Sequence, residues 1–161
     1  MADIEAKLHA LGLSLPPAFR PPPAVVLPFA SVHVLGTRAF ISGHGPQAPD
    51  GAFAQPLGKL GAQLSIEQGH LAARLTALSI LASLQRTLGD LDRVRAWGRV
   101  FGMVNSAPGF NAQPAVINGF SELILQLYGE RRGAHARSAV GMAELPFDIP
   151  VEIEAEIEID A

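Results

Sequence analysis

Residues 151–159, VEIEAEIEI, alternate without a fault. Val151, Ile153, Ala155, Ile157 and Ile159 fall on one parity and Glu152, Glu154, Glu156 and Glu158 on the other. Successive side chains of a strand point to opposite faces, so this segment predicts a strand with one apolar and one acidic face. Residues 137–144 (RSAVGMAE) read as a second strand. Val140 and Met142 share a parity with Ser138, while Arg137, Ala139 and Gly141 share the other. If these two strands pair as a hairpin centred near Phe147, Arg137 and the glutamates lie together on the polar side of the sheet, away from the helices.

The period changes to that of a helix after Ser65. Ile66, Ala73, Leu78, Leu81, Leu84 and Leu88 supply a broad apolar face, Ser65 and Gln68 fit a capping box, and Gly89 fits a C-terminal stop. A second helix is predicted over 112–128, with Asn111 as its N-cap. Between the helices, DRVRAWGRVFGMVNS reads as a strand with Val94, Ala96, Val100 and Val104 on its apolar parity. Upstream, residues 31–42 predict two short strands around a Gly36-Thr37 turn. Asp3, Ile4, Leu8 and Leu11 predict a short N-terminal helix, followed by a proline-rich extended arm, LPPAFRPPPAVVLP. The order is β-β-α-β-α-β-β. This predicts an α+β fold, a mixed sheet with two helices on one face, plus the N-terminal helix and arm. Residues 1–24 form that helix and arm, and 25–161 a single domain.

Composition narrows the function classes. The 161 residues include no cysteine, which removes disulfides, thiolate catalysis and cysteine-ligated zinc. No HxH or HExxH spacing appears among the five histidines, so no metal site is expected. The net charge of −3 and the scattered arginines argue against nucleic acid as a partner. No apolar run approaches the ~20 residues that span a bilayer, and the charged start lacks a signal pattern, so a cytoplasmic protein is expected. Gly43-His44-Gly45-Pro46 leads into more loop rather than a helix and is not a phosphate loop. His44 is a candidate acid/base group, but a loop histidine hydrogen-bonded to backbone is the preferred reading, and His135 lies close to Arg137 in sequence. Trp97 and Tyr128 read as packing residues.

Most of the acidic ladder is explained by a wet sheet face. Arg137 is different. Ala139 and Gly141 leave space beside it, and a planar guanidinium next to a vacancy suits a carboxylate. In the hairpin register Arg137 would face about Ile157 or Glu158. Glu152 would then stand about 15–20 Å along the strand. A site using both Arg137 and Glu152 would therefore draw the glutamate from a neighbouring subunit.

These residues carry a resemblance. HARSAVGMAELPFDIPVEIEAEI is similar to the C-terminal signature of the YjgF/RidA family, the reactive-intermediate enamine/imine deaminases, also labelled endoribonuclease L-PSP. FISGHGP resembles its Ser-Gly loop, LGDLDRVRAWGRVF its helix end and following strand, and INGFSELILQLYG its second helix. The arm and SAPGFNAQP resemble a longer-chain subgroup. The resemblance covers about Val25 to Ile159. It implies a chorismate-mutase-like fold and a homotrimer with sites between subunits. It further implies hydrolysis of 2-imino acids to 2-keto acids and ammonia without cofactor. By position, Arg137 would bind the carboxylate of a small substrate. The backbone at Gly43 and Ala139 would hold the imine end, Glu152 would position water, and Asn118 would sit at the pocket wall. The sequence departs from the family at Phe29, where many members have tyrosine, at His44 in place of glutamine, and at Ala139 in place of cysteine or threonine. The alternatives from other classes are a non-catalytic metabolite-binding or regulatory trimer and an endoribonuclease or translation inhibitor.

Overall fold

The computed structural model describes residues 3–160. Its elements in chain order are α1 (Asp3–Ala10), β1 (Val32–Leu35), β2 (Arg38–His44), α2 (Ile66–Leu88), β3 (Val94–Asn105), α3 (Gln113–Gly133), β4 (Ala136–Met142) and β5 (Val151–Ile159). The strands form one mixed sheet in the order β1-β2-β5-β3-β4. Only the β3–β4 pair is parallel. Helices α2 and α3 pack on each other and cover one face of the sheet. This is the expected α+β architecture. Among the described residues no helix is long and apolar enough to cross a membrane.

Strand β5 occupies the middle of the sheet because its apolar parity needs burial along its whole length. Val151, Ile153, Ala155, Ile157 and Ile159 are all 5% exposed or less, packed beneath α2 and α3 in one hydrophobic core with Ile80, Leu81, Leu84, Phe120 and Leu127. Helix α2 begins at the Ser65 capping box and ends at Gly89 in the left-handed conformation, as its sequence predicts. Trp97 and Tyr128 are core residues. Helix α1 joins the same core through Ile4 and Leu8, and Lys7 Nζ donates to the Leu127 carbonyl at 3.1 Å.

Three local expectations are corrected. The C-terminal hairpin does not form: β5 pairs with β2 and β3, while β4 is an edge strand on the far side of β3. The Pro146–Asp148 turn carries the chain past β3 rather than folding β5 back on β4. With the hairpin goes the assigned face. Arg137, Ala139 and Gly141 pair with Val100, Gly102 and Val104, whose side chains face the helices. Val140 and Met142 lie instead with Met103 and the glutamates on the open face. The third correction concerns helix and strand detail. Ala112, without a side-chain cap, precedes α3 in place of Asn111. Register shifts between Val94 and Arg99 break the single apolar parity of β3 and turn Trp97 into the core. Helix α3 departs from helical dihedrals at Gly129, next to the predicted end at Tyr128.

The two helices touch backbone to backbone at Gly119. A Cβ there would lie 2.0 Å from the His70 carbonyl oxygen of α2. Overpacking of this kind typically costs about 1–3 kcal/mol, and a rigid backbone oxygen cannot move aside cheaply. Gly119→Ala is therefore expected to lose stability in or above that range, read as a lower urea midpoint with an unchanged slope.

Candidate functional site

Two clusters hold the residues singled out from the sequence, and they lie on different parts of the chain. The first surrounds a cavity of about 670 Å³ lined by the arm, the end of β2, the last turns of α2 and the start of β5. Phe29, Gly43, His44 and Glu152 all line it. A β-bulge creates the local geometry. Ile41 pairs with Ala155 and His44 with Ile153, so three steps on β2 match two on β5. The extra residue turns His44 toward α2 and lays bare backbone at Gly43 against Glu152. Bulges next to binding sites commonly re-aim side chains in this way. The fit is close: a Cβ on Gly43 would sit 2.0 Å from Glu152 Oε1.

His44 is held at both ring nitrogens. Nδ1 lies 2.6 Å from the Ser42 carbonyl, which can only accept, so Nδ1 carries a proton. Nε2 lies 2.9 Å from Ser83 Oγ, which also accepts from Arg86 Nη2 at 3.0 Å. Burial lowers the His44 pKa against the opposing effect of the Ser42 hydrogen bond, and Arg86 lowers it further. A neutral imidazole that accepts from Ser83 fits all three facts. His44 thus shapes the wall with both nitrogens engaged, a histidine held on backbone rather than a free acid/base group. The carboxylate facing the cavity, alongside His44 and Arg86, is Glu152. Burial raises its pKa, and neighbouring Glu154 adds to the rise.

The second cluster is on β4 and α3. Arg137 Nη1 donates to Asn118 Oδ1 at 3.0 Å and to Ser121 Oγ at 3.1 Å. Among the described residues no carboxylate lies within ion-pair distance of it, and its other N–H groups have no protein acceptor. Behind it, His135 repeats the arrangement of His44. Nδ1 meets the carbonyl two residues back, Gly133, at 2.7 Å, and Nε2 meets a serine hydroxyl, Ser121, at 2.9 Å. Burial lowers the His135 pKa, opposed by the Gly133 hydrogen bond, and Arg137 lowers it further. Ala139 is two residues along the same face, partly buried against the core.

The structure therefore brings Phe29, Gly43, His44 and Glu152 together in one place, and Arg137, Asn118 and Ala139 in another. Glu152 and Arg137 sit on opposite faces of the sheet with β3 between their strands, while His44 turns to the helix side, and the cavity lined by Glu152 contains no residue of the second group. Sequence reasoning missed Ser83, Arg86 and Ser121. Ser121 lies three residues after Asn118, on the same side of α3, and that spacing was a legible signal.

A five-stranded mixed sheet backed by two helices, with these residues at its ends, defines a YjgF/chorismate-mutase-like protein. Residues 5–150 match the family model described as "YjgF/chorismate_mutase-like, putative endoribonuclease", and the chain belongs to that family. It is similar to Protein TCP17 of Trypanosoma cruzi, with 41% identity over 157 residues, covering 98% of this chain and 94% of that one. The protein Atu1372 of Agrobacterium tumefaciens has a solved structure similar to it. The two share 38% identity at a TM-score of 0.86, over 99% of this chain and 93% of that one. The YjgF gene product of E. coli shares the fold at a TM-score of 0.60 and 23% identity, over 90% of this chain and 98% of that one.

The raised Glu152 pKa has a stability consequence whose sign is fixed. The folded state holds the Glu152 proton more tightly than the unfolded chain, so ionising the group costs stability as pH rises above the ordinary glutamate value of 4.5. Glu152→Gln is expected to melt at a higher temperature than the parent at pH 8. The difference should shrink on acidification and vanish below pH ~4, where both side chains are neutral. Thermal melts across that range check it.

Proposed function

We propose that the protein hydrolyses 2-imino acids to 2-keto acids and ammonia in a site that two copies of the chain complete together. One observation carries this reading. The chain presents a carboxylate of raised pKa beside bare backbone at a cavity, and separately a guanidinium with unused N–H groups on an edge strand. The two are complementary yet lie on opposite faces of one sheet, so they meet only between copies. A homotrimer of the family type would supply such contacts, with the β4 edge of one subunit against the cavity of the next.

In the proposed site the free N–H groups of Arg137 take the substrate carboxylate through paired charge-assisted hydrogen bonds. Asn118 and Ser121 fix the guanidinium plane from behind, so little freedom is lost on binding. Backbone groups at Gly43 of one copy and Ala139 of the other hold the imine end, and the Phe29 ring closes the mouth. Water adds to the protonated imine carbon: a C–O bond forms and the C=N π pair moves to nitrogen. Glu152 accepts the proton from that water and returns it to the amine. The C–N bond then breaks as an oxygen lone pair forms C=O, and Glu152 takes the hydroxyl proton and passes it to the departing ammonia, giving the keto acid and ammonium with the carboxylate regenerated. The substrate is already electrophilic, so positioning supplies much of the rate, and proton transfer by Glu152 contributes about 10²–10⁴-fold.

The test uses 2-iminopropanoate or 2-iminobutanoate generated in situ, with keto-acid release followed directly. Arg137→Ala and Glu152→Gln should each lose about 10²-fold or more in kcat/KM. Co-refolding the two inactive variants in equal amounts should restore about one quarter of the parent activity, because about one site in four then pairs an intact Arg137 with an intact Glu152. Failure of the mixture to recover any activity would remove the shared site. Saturable keto-acid binding without turnover would favour a metabolite-binding trimer, and RNA cleavage lost in Arg137→Ala would favour a ribonuclease.

A backbone-level test bears on the same site. Gly43→Ala should push the Glu152 carboxylate out of place, because the added Cβ would overlap Oε1 while the flexible side chain can swing away. Activity should fall by at least tenfold with little change in melting temperature.

A further inference from the structure

The proposed reaction fixes two ends of its substrate, the carboxylate and the imine, and leaves the third substituent of the imine carbon open. We propose that this substituent is an aromatic or comparably bulky apolar side chain, received by the cavity beside Glu152. The inference rests on the deaminase reading for its chemistry and on the cavity alone for its shape.

Size is the first argument. A cavity of about 670 Å³ lies in the range that buries a drug-sized ligand. A methyl or ethyl substituent would leave most of it to water against apolar walls. The second argument is the lining. Four of the chain's eight phenylalanines, Phe19, Phe29, Phe53 and Phe147, border this one cavity, and they come from three separate segments. Phe19 and Phe53 stack with centroids 4.6 Å apart, and Phe53 and Phe147 at 5.3 Å, in tilted arrangements. Phe29 and Phe147 nonetheless remain 58% and 42% exposed. Keeping such rings in water forgoes roughly 25 cal/mol for each Å² left unburied. An apolar ligand recovers that surface.

The third argument is that the fold spends structure on holding these rings in place. Phe147 has φ 57° and Asp148 φ 58°, the left-handed region that bulky residues rarely adopt. A clamp holds the turn there. Asn105, fully buried, donates to Asp148 Oδ1 at 3.0 Å and accepts from Lys59 Nζ at 3.0 Å, and Gly58 N donates to the Asp148 carbonyl at 2.8 Å. The arm that carries Phe19 and Phe29 is tied down in the same way. Arg20 N donates to the Gly51 carbonyl at 3.0 Å, and Ser42 Oγ to the Ala30 carbonyl at 2.7 Å. The arm is thus one wall of the cavity and a determinant of what enters it.

The test compares kcat/KM for 2-imino-3-phenylpropanoate and 2-iminopropanoate, both generated in situ by an amino-acid oxidase, on the full chain. The aromatic substrate should be preferred by about 10–200-fold, the range that apolar pockets achieve. Two variants probe the cavity itself. Thr87→Trp, at an exposed position of α2 on the cavity rim, fills it, and Phe53→Ala removes its central ring. Both should lower the preference toward parity. Calorimetry with phenylpyruvate and pyruvate runs in parallel as a measure of binding without turnover. Tighter binding of phenylpyruvate, weakened by Thr87→Trp, supports the cavity assignment even if no imine is hydrolysed, in which case only the deaminase reading falls. Turnover with no preference for the aromatic substrate, or a preference that neither variant moves, overturns the cavity assignment and leaves the deaminase reading standing. Absence of both turnover and keto-acid binding overturns both.

Discussion

The structure depends on the position of one strand. Strand β5 is hydrogen-bonded on both sides, to β2 and to β3, and its five apolar residues are almost fully buried in the core beneath the helix layer. A side-chain period of two leaves no freedom once one parity is committed to the core, because a one-residue slip would put every glutamate against the helices. Glu152 is therefore fixed on the open face. It is also fixed along the strand, one step before Ile153, beside the bulge in β2 that uncovers the Gly43 backbone. The same central placement sends β4 to the opposite edge, and Arg137 with it. The separation of the two clusters follows from the burial needs of Val151, Ile153, Ala155, Ile157 and Ile159.

The two arginines near these sites are supported alike. Arg86 bonds to Ser83, whose partner is His44, and Arg137 bonds to Ser121, whose partner is His135. In each case the imidazole places Nδ1 on the carbonyl two residues earlier and has its pKa lowered by burial. A protonated imidazole here would put a second positive charge close to a guanidinium. Keeping the ring neutral removes that repulsion and lets Nε2 accept, so each serine oxygen is left to accept from arginine. The recurrence is itself a likeness between the two clusters that residue identity does not display. The outcomes differ in their surroundings. Arg86 borders the aromatic cavity and Arg137 sits on an edge strand with donors unused.

How much of this was legible in the sequence varied with the range of the interaction. The Ser65–Gln68 box, the Gly89 stop and the alternation of residues 151–159 are local, and each was readable because its residues are neighbours in the chain. The failure came where one strand had to choose a partner far away. An eight-residue link between two strands suggests a hairpin, and nothing in residues 143–150 says that β3 will come between them. The wrong neighbour carried a wrong face: Ser138, Val140 and Met142 look like the buried parity of β4, yet the small residues Ala139 and Gly141 are the ones under α3, where Ser106 and Gln113 leave no room for more. The family resemblance, not the strand pattern, is what points to Arg137 and Glu152 together as candidates. The aromatic cavity was not legible, because Phe19, Phe53 and Phe147 are far apart in sequence and share no period.

The open face of the sheet bears on assembly. It is not the uniformly wetted acidic surface that the glutamate ladder suggests. Phe40, Phe101, Met103, Val140 and Met142 share it with Glu152, Glu154, Glu156 and Glu158. The Arg38 guanidinium lies over the Phe40 ring at 5.0 Å while pairing with Glu156 at 2.7 Å, and Arg99 lies 5.6 Å from the centre of Phe101. Side chains of this kind cost less to cover than a bare acidic face because apolar groups share it, although among the described residues Glu156 alone of the four glutamates is ion-paired, so the others need counter-charges or water when covered. They also offer more than a wet face needs, since rings and methionines are over-represented where protein surfaces meet. A second copy placed against this face would shield the apolar side chains and leave the paired charges paired. It would also bring foreign residues to the face on which Glu152 sits. In the proposed assembly, the surface that a second copy would cover and the carboxylate that it would complete are set by the same alternation in β5, so that folding the last strand correctly prepares both at once.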